Sequence, residues 1–458
     1  MIRPLAIVIG LLASCAPTAQ PPGQPITDAP SFPDRAAPLS SSLPPVKTFA
    51  AAPVQTPQRS NTEIAQDFLD LTFRVESGRI LPVMTKFDGP ITVRVNGAAQ
   101  PLMVNDLKQL VGRIRDEARV NIRLVSEAEA NVTVEALPRA EIQKVAPTAA
   151  CFVVPRVSSW REFTRNRNTS RYDWATLQNR ERVAIFVPSD APPQEIRDCL
   201  HEELAQAIGP LNDLYRLPDS VFNDDNIHNV LTSFDMLILR LYYSPALANG
   251  MSRLEVAARL PGLLRQMNPG GQTAAIRTVE YTDQTWVDEL RTALSAGESP
   301  TRRRAAATRA VAFSVDRKWG GPREAFAHYA LGRLHVGHNS TTAQAAFLRA
   351  EQIYRATPAT YIHAAHVSVQ RAAFALQQGD ADQTISIVDE ALPRAQQHQN
   401  AALLATLMLF KAEALALQGK TDAANALRLD SLGWARYGFG SDTAVEARLT
   451  EIAALRPD

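Results

Sequence analysis

The residue types best able to do chemistry crowd into one stretch, Cys199-Leu-His-Glu-Glu-Leu-Ala-Gln-Ala-Ile-Gly209-Pro-Leu-Asn-Asp213. Placed on a helix at about 100° per residue, Ile196, Leu200, Leu204 and Ala207 form an apolar face. Glu202, Glu203 and Gln206 make a polar strip along its border, with Cys199 on the same edge. His201 and Ala205 point elsewhere. A carboxyl beside an apolar face can serve as general acid or base, because burial moves its pKa. Glu202, Gln206 and Asn212 are also oxygen donors, which suit a hard cation or a water cluster better than zinc. His201 and His228 are the only histidines before residue 300, so this region cannot supply a three-imidazole zinc site. His201-Glu202 does not open an HExxH pattern either, since its fifth position is Ala205. Asp224, Asp225 and His228 read as a solvated loop. The sequence has no Gly-rich phosphate loop, and no serine has visible His/Asp partners.

The spacing Glu202-Glu203-x-x-Gln206-x-x-Gly209-x-x-Asn212 resembles the metzincin zinc-peptidase motif with each histidine replaced. Asp219-Ser-Val-Phe222 resembles the Met-turn, with Phe where Met is expected. Leu231-Thr-Ser-Phe-Asp235 followed by Leu241-Tyr242 resembles the last helix of such folds. The whole stretch from Cys199 to Met251 resembles an uncharacterised proteobacterial lipoprotein family, the domain-of-unknown-function family 2927. That resemblance implies a zincin-like frame with Glu202, Gln206 and Asn212 at the ligand positions and Glu203 at the base position. It implies no function.

The elements that must position these residues are read from periodicity. Ile91–Val95 alternates and ends in Asn96-Gly97, a strand signal. Leu102–Ala118 has helical spacing. Val120–Val125, Val132–Ala136, Cys151–Val154 and Val183–Val187 read as strands. Pro192-Pro193 opens the helix that ends at Gly209. Strands interleaved with helices imply an α+β domain over 61–270: a zincin-like mixed sheet with helices. The segment 212–222 is expected to donate hydrogen bonds to Glu203.

An all-α helical-repeat domain then fills 271–458, beginning with the linker signal Gly270-Gly271. Ala375-Leu-Gln-Gln-Gly379-x-x-Asp382 and Leu417-Gln-Gly419-x-x-Asp422 align at a spacing of about 40 residues, a tetratricopeptide-like pattern. Such stacks offer a concave surface to a protein or peptide partner.

The chain begins with Arg3, an apolar run from Ala6 to Leu12, and Leu12-Ala-Ser-Cys15, which resembles a bacterial lipobox. Residues 1–15 then form a lipoprotein signal ending at the lipidated Cys15. Residues 16–60 hold 11 of the 31 prolines and read as a disordered tether. Lipidation makes the membrane a partner and puts the protein in the cell envelope, facing the periplasm on the outer membrane. In that oxidising compartment Cys151 and Cys199 are expected to pair; the alternative is two buried thiols. Lys and Arg total 48 against 47 Asp and Glu, a balance that argues against nucleic acid as a partner. Two functions follow: a noncatalytic binding or scaffolding protein of the envelope, or an atypical metal-dependent hydrolase of periplasmic peptide or wall material, with Glu203 as general base.

Overall fold

The computed structural model describes residues 43–50, 57, 59–127, 129–167, 169–274 and 280–457. Cys15 and the expected signal lie outside the described residues, as do residues 16–42 of the expected tether. The chain divides into two compact units.

The α+β unit comprises Val54–Ala191 and Glu195–Thr282. Its elements are α1 (Asn61–Thr72), β1 (Ile91–Gly97), α2 (Pro101–Glu117), β2 (Ile122–Leu124), β3 (Val132–Leu137), α3 (Arg139–Gln143), β4 (Phe152–Pro155), α4 (Trp160–Asn166), β5 (Val183–Pro188), α5 (Pro193–Ile208), α6 (Ser233–Tyr242) and α7 (Arg253–Met267). The five strands form one sheet in the order β2-β1-β3-β5-β4. The pairs up to β3–β5 are parallel, and β4 is an antiparallel edge strand on β5.

Both faces of the sheet are covered, as parallel strands require. The alternation along β5 divides its side chains. Val183, Ile185 and Val187 join the main core with Ile196, Leu200 and Leu204 of α5. Ala184 and Phe186 face a smaller core with Val154 and Phe163. The rings of Phe152, Trp160, Phe163 and Phe186 pack against one another there at 5.0–6.3 Å.

The Gly270-Gly271 signal does not end this unit. Gly271 is buried against Asn61 and Asn268, whose side chains bond each other (Nδ2 of Asn268 to Oδ1 of Asn61, 2.9 Å). The close approach of these amides needs a glycine, so the pair packs instead of linking, and the unit continues to Thr282.

The helical unit contains α8 (Gln284–Leu294), α9 (Pro300–Asp316), α10 (Pro322–His335), α11 (Ser340–Tyr354), α12 (Tyr361–Gln377), α13 (Ala381–Gln397), α14 (Ala401–Leu417), α15 (Thr421–Phe439) and α16 (Asp442–Ala453). The aligned motifs mark equivalent turns. Gly379 (φ 74°) joins α12 to α13, and Gly419 (φ 73°) joins α14 to α15; both positions need the left-handed backbone that glycine adopts freely. α14 is apolar nearly all round and buried along most of its length, as a central helix must be.

Residues 43–50 differ from the tether expectation. They lie against α15 without helix or strand of their own, and α15 offers an aromatic face and fixed hydrogen-bond partners to a segment that cannot make a core of its own. Among the described residues, no helix is long and apolar enough to cross a membrane.

Candidate active site without a zinc triad

α5 holds the candidate residues. Pro193 starts it, with its missing N–H at a position that needs none. It stops at Gly209-Pro210, and Gly209 leaves room for Leu239 of α6, which would lie 2.6 Å from an added Cβ. The carbonyls at its C-terminal end are met by Arg180. The buried guanidinium donates from Nη1 to the carbonyls of Gln206 (2.8 Å) and Ala207 (2.9 Å), and from Nη2 to that of Gly209 (2.6 Å). A cation there satisfies orphan acceptors and the negative end of the helix dipole. The sequence carries no local signal for this role, because Arg180 reaches α5 through the fold.

Cys151, just before β4, and Cys199 of α5 form a disulfide with Cα atoms 5.9 Å apart. It ties the edge of the sheet to the helix that carries the carboxyls.

The predicted strip is assembled, with its members in different roles. Glu203 is 6% exposed, and its Oε2 has no hydrogen-bond partner. The expected bonds from 212–222 to this carboxyl are replaced by others. That segment directs its donors to Asp235, to α1 and to itself: Val221 N donates to Asp235 Oδ2 (3.2 Å), Ser220 Oγ to Asp235 Oδ1 (2.5 Å), Arg216 to Asp67 and Asp70, and Leu214 N to the Phe222 carbonyl (3.0 Å). Gln206 Nε2 donates to Glu76 Oε1 (3.2 Å) and to Asp213 Oδ2 (3.3 Å). Asn212 is buried, and its Nδ2 donates to the Asp70 carbonyl on α1 (2.9 Å). His201 faces away from the strip and accepts from Leu231 N at Nδ1 (3.0 Å). Burial holds it well below the usual imidazole pKa.

Glu76 and Asp213 complete the cluster. Val75 bridges Leu211 in a short parallel pairing, which brings Glu76 beside the end of α5. Glu76 is exposed, Glu202, Asp213 and Asp224 are half-buried, and Glu203 is buried, so exposure grades from rim to floor. Burial is the main cause that pushes the Glu202 carboxyl up to about 8, with Glu76 and Asp224 adding to it. Burial first, then Glu202 and Glu76, raises Glu203 well above the carboxyl range. Asp213 is raised by burial and then by Glu76, Glu202, Asp224 and Glu203. Every charged group acting on these three is acidic. Near neutral pH Glu202, Glu203 and Asp213 therefore keep protons, as like charges sharing a site do.

Asp224, Asp225 and His228 are not the solvated loop expected. Asp225 is buried and accepts from Ile227 N (3.1 Å) and Asn223 Nδ2 (2.8 Å), and His228 Nε2 donates to the Pro218 carbonyl (2.9 Å). Phe222, just before this loop, is fully buried in the main core.

The donor set does not fit zinc. Two of the three ligand positions are amides whose nitrogens are already directed at carboxylate or carbonyl oxygens. Zinc sites use His, Cys or carboxylate.

A family model described as "Protein of unknown function (DUF2927)" matches residues 61–262. The match lies within the α+β unit and agrees with the resemblance read from Cys199 to Met251. No curated protein and no solved structure matches the chain.

Proposed function

We propose that this chain is a cell-envelope lipoprotein, lipidated at Cys15 and facing the periplasm, whose peptidase-like α+β domain binds or scaffolds and does not cleave. The single observation that carries this reading is the use of Gln206 and Asn212. Both stand where a zinc site would need imidazole, thiolate or carboxylate, and their amide nitrogens are held by oxygens of the fold, which gives them a positioning role. The chemistry left is a carboxyl cluster in which Glu202, Glu203 and Asp213 hold protons and Glu76 forms the exposed rim. A cluster of that charge recognises a cationic group, such as a lysine, an arginine or an amino-terminus, by exchanging protons for it. Metal analysis and a peptidase assay on protein starting after Cys15 test the reading. It expects no stoichiometric zinc and background hydrolysis. Stoichiometric zinc that disappears in Glu202→Ala would overturn it.

A second reading, an atypical metal-dependent hydrolase, is favoured by the orphan Oε2 of Glu203. As a general base that carboxyl must be ionised, so its raised pKa demands a rate that grows above neutral pH. Such a rate, abolished by Glu203→Gln without unfolding, would establish it.

A further inference from the structure

The helical unit holds residues 44–50 against a second surface, on α15 and the turn between α13 and α14. Residues 44–50, which form neither helix nor strand, lie across it, and Pro44 and Pro45 fix φ at the first two positions. The contacts use both the main chain and the side chains of the segment. Arg436 Nη1 donates to the Pro44 carbonyl (2.9 Å). Lys47 N donates to the Gly433 carbonyl (3.1 Å). Gln399 Nε2 donates to the Ala50 carbonyl (2.6 Å). The Lys47 ammonium pairs with the Asp430 carboxylate, donates to its carbonyl at 3.1 Å, and stands 5.6 Å from the Trp434 ring centre. Phe49 stacks on Trp434 at 4.5 Å with 29° between the planes.

Gly433 shows that the helix is shaped for this segment. It sits inside α15, where glycine costs about 1 kcal/mol relative to alanine. An added Cβ would lie 2.8 Å from Lys47 Cγ and 3.0 Å from the Pro45 carbonyl oxygen. The segment therefore passes where a side chain would otherwise stand.

We infer that this face of the helical unit is a peptide-binding groove for segments of the type Pro-aliphatic-Lys-x-aromatic, and that residues 44–50 occupy it in cis. The groove supplies a carboxylate for the lysine, an indole face for the aromatic ring, and fixed partners for the backbone. A partner peptide of the same chemistry competes with the chain's own segment. A tethered segment acts at an effective concentration of about 1 mM. Against an intrinsic Kd of about 0.1 mM it fills about nine grooves in ten, which weakens the apparent affinity for a free peptide about tenfold.

The test uses the full chain and a fluorescent peptide of residues 43–50. In the double variant Lys47→Glu/Phe49→Asp, the cis segment loses both anchors and the groove is empty. The peptide should bind this variant about tenfold more tightly than it binds the wild type. Adding Gly433→Ala, which favours the helix but fills the path, should abolish that binding while the thermal unfolding midpoint holds or rises. The same peptide carrying the Lys47→Glu change should not bind. Equal affinity for the wild type and the emptied variant would overturn the inference. So would binding that survives Gly433→Ala, or no binding to any form.

Discussion

The α+β unit buries two carboxylate clusters and neutralises them in opposite ways. At α1, the side chains of Asp67 and Asp70 are 4% and 1% exposed. Arg216 donates to both, at 2.8–3.1 Å. Arg59 joins Asp67 to Asp219, and Arg253 reaches Asp70 at 2.8 Å. Tyr281 Oη adds a hydrogen bond to Asp70 (3.0 Å). At α5, Glu202, Glu203 and Asp213 face Glu76 and Asp224 and are neutralised by protons. The arginine-paired cluster is complete and closed, so it holds the fold. The proton-held cluster keeps an unpartnered oxygen and an exposed rim, so it can exchange protons for a cation. Buried carboxyls whose pKa values are raised by burial and by one another in an ordered site are where function is expected.

Breaking the paired cluster should have the largest effect. Arg216→Met leaves two buried aspartates short of a counter-ion and should cost about 3–5 kcal/mol in urea unfolding. A loss under about 1 kcal/mol would show that the pairing does not distinguish the two sites. Next comes the bond that holds α5 to the sheet edge. Reducing Cys151–Cys199, which spans a separation of 48 residues, should cost about 2–4 kcal/mol. An unchanged denaturation midpoint under reductant would mean that α5 needs no such tie.

The two clusters should also respond differently to pH. Folded Glu202 keeps its proton up to about pH 8, whereas the unfolded chain releases it near the ordinary value of 4.5. The folded state then binds more protons across that window. Stability from this group is complete below the ordinary carboxyl pKa and is lost as pH rises toward 8. The slope is about 1.4 kcal/mol per pH unit for the one proton. His201, buried and neutral, contributes with the opposite sign below its usual pKa. Comparison with Glu202→Gln isolates the carboxyl, since the variant should flatten the slope between pH 5 and 8. Parallel pH profiles for wild type and variant would contradict the proton-held state. Glu203→Gln should have the smallest effect, within about 1 kcal/mol and not destabilising, because it replaces an acid that lacks a partner at Oε2. A large loss in melting temperature would instead mean that the carboxyl holds the fold.

Much of this architecture was legible in the chain. Alternation before Asn96-Gly97 marked the strand at 91–97, short runs of strand-forming residues marked those at 132–137 and 183–188, and helical spacing with Pro193 and Gly209 bounded α5. The burial of Glu203 followed from its place at the edge of the apolar face. What the sequence could not show was pairing across distance. Glu76 enters the cluster because Val75 bridges Leu211, Arg180 caps α5 from the loop before β5, and Asn212 turns to α1. Nothing near these residues in sequence signals those contacts. Residues 43–50 were read from composition as tether. Their partners on α15 lie almost four hundred residues away, and the only local sign was a glycine inside a helix.

The central claim is that the α5 carboxyls hold protons at neutral pH and not a metal. Infrared difference spectroscopy of the wild type against Glu202→Gln and Glu203→Gln reads this directly, through the carbonyl stretch that only a protonated carboxyl shows. The account predicts such a band at pH 7 in the wild type, reduced in each variant and lost above pH 9 for Glu202. Ionised carboxylates alone at pH 7, together with one zinc per chain, would contradict it.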